Sequence, residues 1–145
     1  GDLAYGVVNS GISRTDLSFS DSFFKGILCN ILVCLAVWMA FAAKQVSGKL
    51  LISFWPVMIF VLCGFEHCVA NMYYLIIGML AAMNDKYVAV CEQLYGLNAA
   101  DIGSTINIGG FFANQIPVTI GNILGGMVFV AIPLYVIHKS KLCNN

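Results

Sequence analysis

A chain of 145 residues, 60% hydrophobic and only 10% charged, with a mean hydropathy of +0.88, lies outside the balance of soluble globular domains and reads as an all-α membrane protein. Its seven basic and seven acidic side chains cancel, so no basic face exists to follow a phosphate backbone, and nucleic acid is excluded as a partner. The chain opens G-D-L-A-Y, without an initiator Met and without a basic segment ahead of a short apolar run, so no signal peptide is visible and the start reads as truncated.

The first apolar run, residues 26–43, carries no charge between Lys25 and Lys44 and is close to the roughly 20 residues that cross a hydrocarbon core. A first span is expected at 21–43, with Ser18, Ser20 or Asp21 available as N-cap and Trp38 toward the far end. The next run, 50–83, is too long for one straight crossing and too short for two, so a broken span is expected. Gly64 and the pair Glu66 and His67 divide it into 50–62 and 68–83, each the length of a half-helix, and Pro56 adds a kink in the first.

From Asn84 to Asp101 the chain turns polar and reads as an extramembrane loop with room for a short interfacial helix, Tyr87 and Tyr95 suiting the headgroup level. The last span is expected at 112–137, where Gly121-x-x-x-Gly125 allows a neighbouring helix to approach closely. Residues 1–145 thus form a single transmembrane domain with three spans. Lys44 and Lys49 between the first two spans, with Lys139 and Lys141 after the last, place that connection and the C-terminus in the cytoplasm by the positive-inside bias. The Arg14 segment and the 84–101 loop then face outward.

An ionisable residue at bilayer depth is costly and normally faces a cavity or a partner, which makes Glu66 and His67 the first functional candidates. His67 and Asn71 are four residues apart, on one helical face, and Asn30, Asn114, Thr119 and Asn122 add neutral donors at similar depth. Neutral amides around one titratable imidazole suit a small anion or weak acid better than a cation, which would want carboxylate or carbonyl cages. Phe60, Leu62, Phe65 and Val33 supply apolar constrictions against hydrated ions. The rival reading makes Glu66 and His67 a buried pair that fastens helices in a structural or accessory subunit. A metal site on Cys63, Glu66, His67 and Cys68 is the weaker choice, because adjacent residues splay on a helix and no H-E-x-x-H spacing exists. Of the six cysteines, Cys29, Cys34, Cys63 and Cys68 lie in apolar segments and read as free thiols, unlike Cys91 and Cys143, and neither a disulfide framework nor a cofactor is expected.

Three stretches, G-I-L-C-N-I-L-V-C-L-A-V-W (26–38), G-F-E-H-C-V-A-N-M (64–72) and N-Q-I-P-V-T-I-G-N-I-L-G-G (114–126), closely resemble the formate/nitrite transporter family. The resemblance covers essentially the whole chain and corresponds to the later part of a family member, from about the end of its third helix through its sixth. It implies an aquaporin-like fold of six helices in two inverted repeats, this chain being the second, assembled as a homopentamer with one pore per protomer in a bacterial-type inner or plasma membrane. Carried over by residue, His67 matches the central pore histidine, Glu66 the acid beside it and Asn71 its helical neighbour. Asn30 and Val33 match pore-lining positions, Phe60 an apolar constriction, and Asn114 and Asn122 polar positions of the sixth helix. The family's vestibule lysine falls in register on Arg14, with Lys25 nearby but out of register, and its pore threonine belongs to the first repeat. The implied function is a channel or transporter, not an enzyme, for formate, nitrite, hydrosulfide or lactate, moving with a proton through His67.

Overall fold

The computed structural model describes residues 2–96 and 98–143, and every regular element among them is a helix. The first, α1 (Asp2–Thr15), occupies a segment without an apolar run. Its Val8 and Ile12 lie one turn apart on one face and are drawn into the core, and Arg14 in the last turn complements the carbonyl end. Of the three candidate caps before α2 (Phe19–Ala42), Ser18 performs the role. Its hydroxyl accepts from the Asp21 N–H at 3.1 Å and donates to the Asp21 carboxylate at 2.7 Å.

Helix α3 (Val46–Leu62) keeps Pro56 buried in its interior and ends in a Schellman turn. Gly64 N–H donates to Val61 O at 3.1 Å and Phe65 N–H to Phe60 O at 2.9 Å, while Gly64 takes φ +62°, a conformation that favours a residue without Cβ. Helix α4 (Cys68–Ala82) starts directly after His67 and bends by 107° into α5 (Asp85–Tyr95), whose N-cap Asn84 accepts from Lys86 N–H at 3.1 Å. A short α6 (Ala99–Thr105) follows.

Helix α7 (Ile108–Gly126) begins earlier than the apolar pattern suggests, because Asn107 caps it by accepting from Gly110 N–H at 2.9 Å. It runs through one π turn (Met127–Ala131) into α8 (Ile132–Cys143), so Pro133 falls in the first turn of α8. Phe19–Ala42 and Ile108–Lys139 are long and apolar enough to cross a membrane. The protein is an all-helical integral membrane protein, with α3 and α4 as the apolar helices on either side of the break.

The described residues fall into two packed units, Gly1–Ser22 with Cys68–Pro117 and Phe23–His67 with Val118–Asn145. In the first, α1 packs on α4, α5 and α6 over a core of Val8, Cys91, Ile102 and Ile106. In the second, α2 and the later part of α7 run side by side in the same direction. Gly121 faces the backbone of Phe23 and Ile27, Gly125 faces Ile27, and a Cβ at either would run into a carbonyl oxygen.

Candidate functional site

In the second unit the break and two helices converge on Asn122. This buried amide donates to Gly26 O on α2 at 2.9 Å and to Glu66 O in the break at 3.0 Å. The Asn122 carbonyl in turn accepts from Asn30 Nδ2 at 2.5 Å. Gly126 leaves room for that asparagine: a Cβ there would stand 2.7 Å from Asn30 Nδ2. The chain beside His67 is thus pinned to α2 and α7 by side-chain amides that donate to backbone carbonyls.

Within this unit His67 is half-buried and its ring lies 6.0 Å from that of Phe60, tilted by 31°, so the last turn of α3 covers one side of the imidazole. Glu66 is buried at 5% exposure, and Val33 and Lys25 are half-buried on α2.

In the first unit three of the singled-out residues form a closed ring of hydrogen bonds. Arg14 Nε donates to Asn71 Oδ1 at 3.0 Å, Asn71 Nδ2 to Asn114 Oδ1 at 2.9 Å, and Asn114 Nδ2 to the Arg14 carbonyl at 2.9 Å. Asn71 and Asn114 are both buried. The guanidinium also donates from Nη1 to Ser10 O at 3.0 Å and lies 4.4 Å above the Tyr74 ring, a cation–π contact. Arg14 rather than Lys25 is therefore the cation joined to the asparagines.

Two residues of this unit escaped sequence reasoning. Tyr74 follows Asn71 by one helical turn, and that spacing is the signal that puts it under Arg14. Gln115 sits inside the N-Q-I-P stretch, is 5% exposed, and donates from Nε2 to the Cys68 carbonyl in the first turn of α4 at 3.0 Å. Among the described residues no group of three His, Cys, Asp or Glu side chains is placed to hold a metal ion, and Cys29, Cys34, Cys63, Cys68 and Cys91 are not joined in disulfides. The side chains of Lys141 and Cys143 lie outside the described ones.

What these arrangements offer chemically is an imidazole against an aromatic ring in one unit and a fixed guanidinium with two oriented amides in the other. The chain matches the family model described as formate/nitrite transporter over residues 2–136. It is 39% identical over 114 residues to the formate channel FocA of Haemophilus influenzae, covering 77% of this chain and 39% of that protein. It is 34% identical over 145 residues to the formate channel FocA of Escherichia coli K12, covering 97% and 49%. Among solved structures it is similar to a pentameric formate channel with formate bound, at a TM-score of 0.81 and 35% identity, covering 95% of this chain and 53% of that one. The chain therefore spans less than half the length of these curated relatives.

Proposed function

The chain belongs to the formate/nitrite transporter family, and from that premise we propose that it contributes to a homopentameric channel or transporter for a small monovalent anion, formate first and nitrite, hydrosulfide or lactate as related candidates. The observation that carries the reading is the break at 63–67, which sets a half-buried imidazole against Phe60 at the junction of two apolar helices. Nothing in lipid rewards such a placement unless the imidazole serves a permeant or a partner.

Taking a bare anion past Phe60 costs several kcal/mol in lost hydration, about what one ion pays on leaving water for a protein interior. Protonation on the way removes most of that cost, and His67 is the residue placed to pass or bias the proton. Arg14 is the vestibule cation: always charged, it attracts the anion and cannot itself deliver a proton. Asn71 and Asn114 act as its oriented amides, Asn30 and Val33 line the path, and Asn122 holds the break. Glu66, buried beside a pinned carbonyl, fits a fastening role better than a permeant-facing one. The K-Q-V-S-G-K connection and the C-terminus lie in the cytoplasm, following the lysine bias.

Uptake of formate, nitrite and hydrosulfide into proteoliposomes by the complete protein tests the reading, with His67→Asn beside wild type. Formate flux in wild type that falls at least about tenfold in the variant supports it, the usual scale for a lost proton-transfer group being about 100-fold or more. Unchanged flux in the variant removes the His67 role, and absence of flux in the wild type favours an accessory subunit.

A further inference from the structure

In the first unit α1 and α4 cross closely at two glycines: a Cβ added at Gly11 would lie 3.6 Å from the Cα of Gly78, and one at Gly78 equally close to that of Gly11. Arg14 follows Gly11 by three residues and Tyr74 precedes Gly78 by four, so each side chain stands about one helical turn from the crossing. The crossing carries one to the other, and Arg14 Cζ lies 4.4 Å from the centroid of the Tyr74 ring. Both residues are half-buried within this unit, which limits how far water competes for the contact.

The groups that hold the guanidinium in this unit are all neutral. Asn71 Oδ1 accepts from Nε and Ser10 O from Nη1, each at 3.0 Å, and the Tyr74 ring meets Cζ between them. A carboxylate in any of these places would hold the cation too, but it would cancel the charge that draws an anion. Ser10 belongs to α1 itself, one turn before Arg14, and moves with it. The hold from outside α1 therefore comes from α4, through Asn71 at Nε and Tyr74 at Cζ. A loose arginine side chain samples many rotamers, and an anion that must first order it binds more weakly.

We propose that Tyr74 is a positioning residue for the permeant anion. Its ring face fixes the Arg14 guanidinium in one pose without neutralising it, and so sets the affinity with which a small anion such as formate is taken up. The inference rests on the reading of Arg14 as the vestibule cation. Tyr74 acts through that cation and is not itself placed on the anion.

The test follows formate uptake by the complete assembled protein in liposomes over a range of formate concentrations. Tyr74 is replaced by Phe and then by difluoro- and trifluorophenylalanine, which keep the shape of the ring while draining negative charge from its face. The half-saturating concentration is expected to stay within about twofold of wild type for Tyr74→Phe and to climb with fluorination to about fivefold above it, the scale of one cation–π contact, with maximal flux nearly constant. In an Arg14→Gln background the same series is expected to be flat, because without the cation the charge of the ring has nothing to act on. A half-saturation indifferent to fluorination, beside an Arg14→Gln variant that raises it, overturns the role of Tyr74 and leaves Arg14 as the vestibule cation. A rise of equal size in both backgrounds overturns it as well, since the ring then matters to the packing of α4 and not to the guanidinium. An Arg14→Gln variant with unchanged half-saturation removes Arg14 from the vestibule, and the inference falls with that reading.

Discussion

Asn122 holds the Glu66 carbonyl at 3.0 Å from 56 residues away in sequence, and with the same Nδ2 holds Gly26 O at 2.9 Å. One amide nitrogen thus ties the break, α2 and α7 together, each of its two hydrogens meeting a carbonyl. Asn122→Ala leaves both carbonyls without this donor in a buried setting and is expected to destabilise the protein by about 1–3 kcal/mol. Thermal unfolding of the purified assembly checks this, with Asn30→Ala, which removes a single bond to the Asn122 carbonyl, expected to cost less. Equal stability of Asn122→Ala and wild type would show that the break is held by other means.

Close packing of α2 on α7 depends on hydrogen in place of a side chain at Gly125, where a Cβ would meet the Ile27 carbonyl. Gly125→Val is expected to separate the two backbones at a cost of about 1–3 kcal/mol, typical of an overfilled contact. Yield of assembled protein on size exclusion and its melting temperature are the readouts. Gly103, where no atom lies within reach of an added Cβ, serves as control, since Gly103→Ala is expected to change neither measurably.

Arg14 combines a directed Nε bond to Asn71 with a stacked contact on Tyr74. If the guanidinium concentrates anions, Arg14→Gln is expected to raise the half-saturating formate concentration by about tenfold, whereas Arg14→Lys, which keeps the charge but loses the planar geometry, should do so only by about threefold. Raising salt should narrow the gap between wild type and Arg14→Gln, because screening removes what the charge supplies. Anion uptake at several ionic strengths measures both effects.

Cys91 is fully buried in the core formed with Val8, Ile102 and Ile106, and burial pushes its thiol above the ordinary range. The folded chain therefore keeps that proton to higher pH than the unfolded chain, so the associated stability is present below the ordinary thiol value, about 8.5, and declines as pH rises beyond it. Maleimide labelling of Cys91 in the folded protein is expected to run at least about tenfold slower than in denaturant, the thiolate being the reactive form. Mass spectrometry of the peptide carrying residue 91 reads the rate; equally fast labelling in both states would mean that α5 does not hold its place on α1.

The break between α3 and α4 was legible because ionisable residues interrupt an apolar run and a glycine precedes them, a pattern with few physical solutions in lipid. The membrane-crossing character of α2 and α7 was legible for the same reason: long uncharged stretches have one stable environment. Other features were hidden. Helix α1 carries no apolar run, and its Val8 and Ile12 become core only through a surface that α4 and α5 provide. Helix α7 starts at Ile108 because Asn107 caps it, four residues ahead of the span expected from 112. In the candidate site, residue types were readable but partners were not. Asn71 and Asn114 stood out as polar residues in apolar helices, yet nothing in the spacing says that they bond to each other and that Arg14 bonds to both. Gln115 went unnoticed because the carbonyl it holds lies 47 residues away.

The ring formed by Arg14, Asn71 and Asn114 has a sense of circulation. Each member gives to the next and receives from the one before: guanidinium to amide oxygen, amide nitrogen to amide oxygen, amide nitrogen to main-chain oxygen. Turning either asparagine over would set nitrogen against nitrogen on one side and oxygen against oxygen on the other, so neither can reverse alone. Because the guanidinium has no acceptor to offer, the circuit cannot run backwards at all, and the two asparagine amides each have one orientation that completes it.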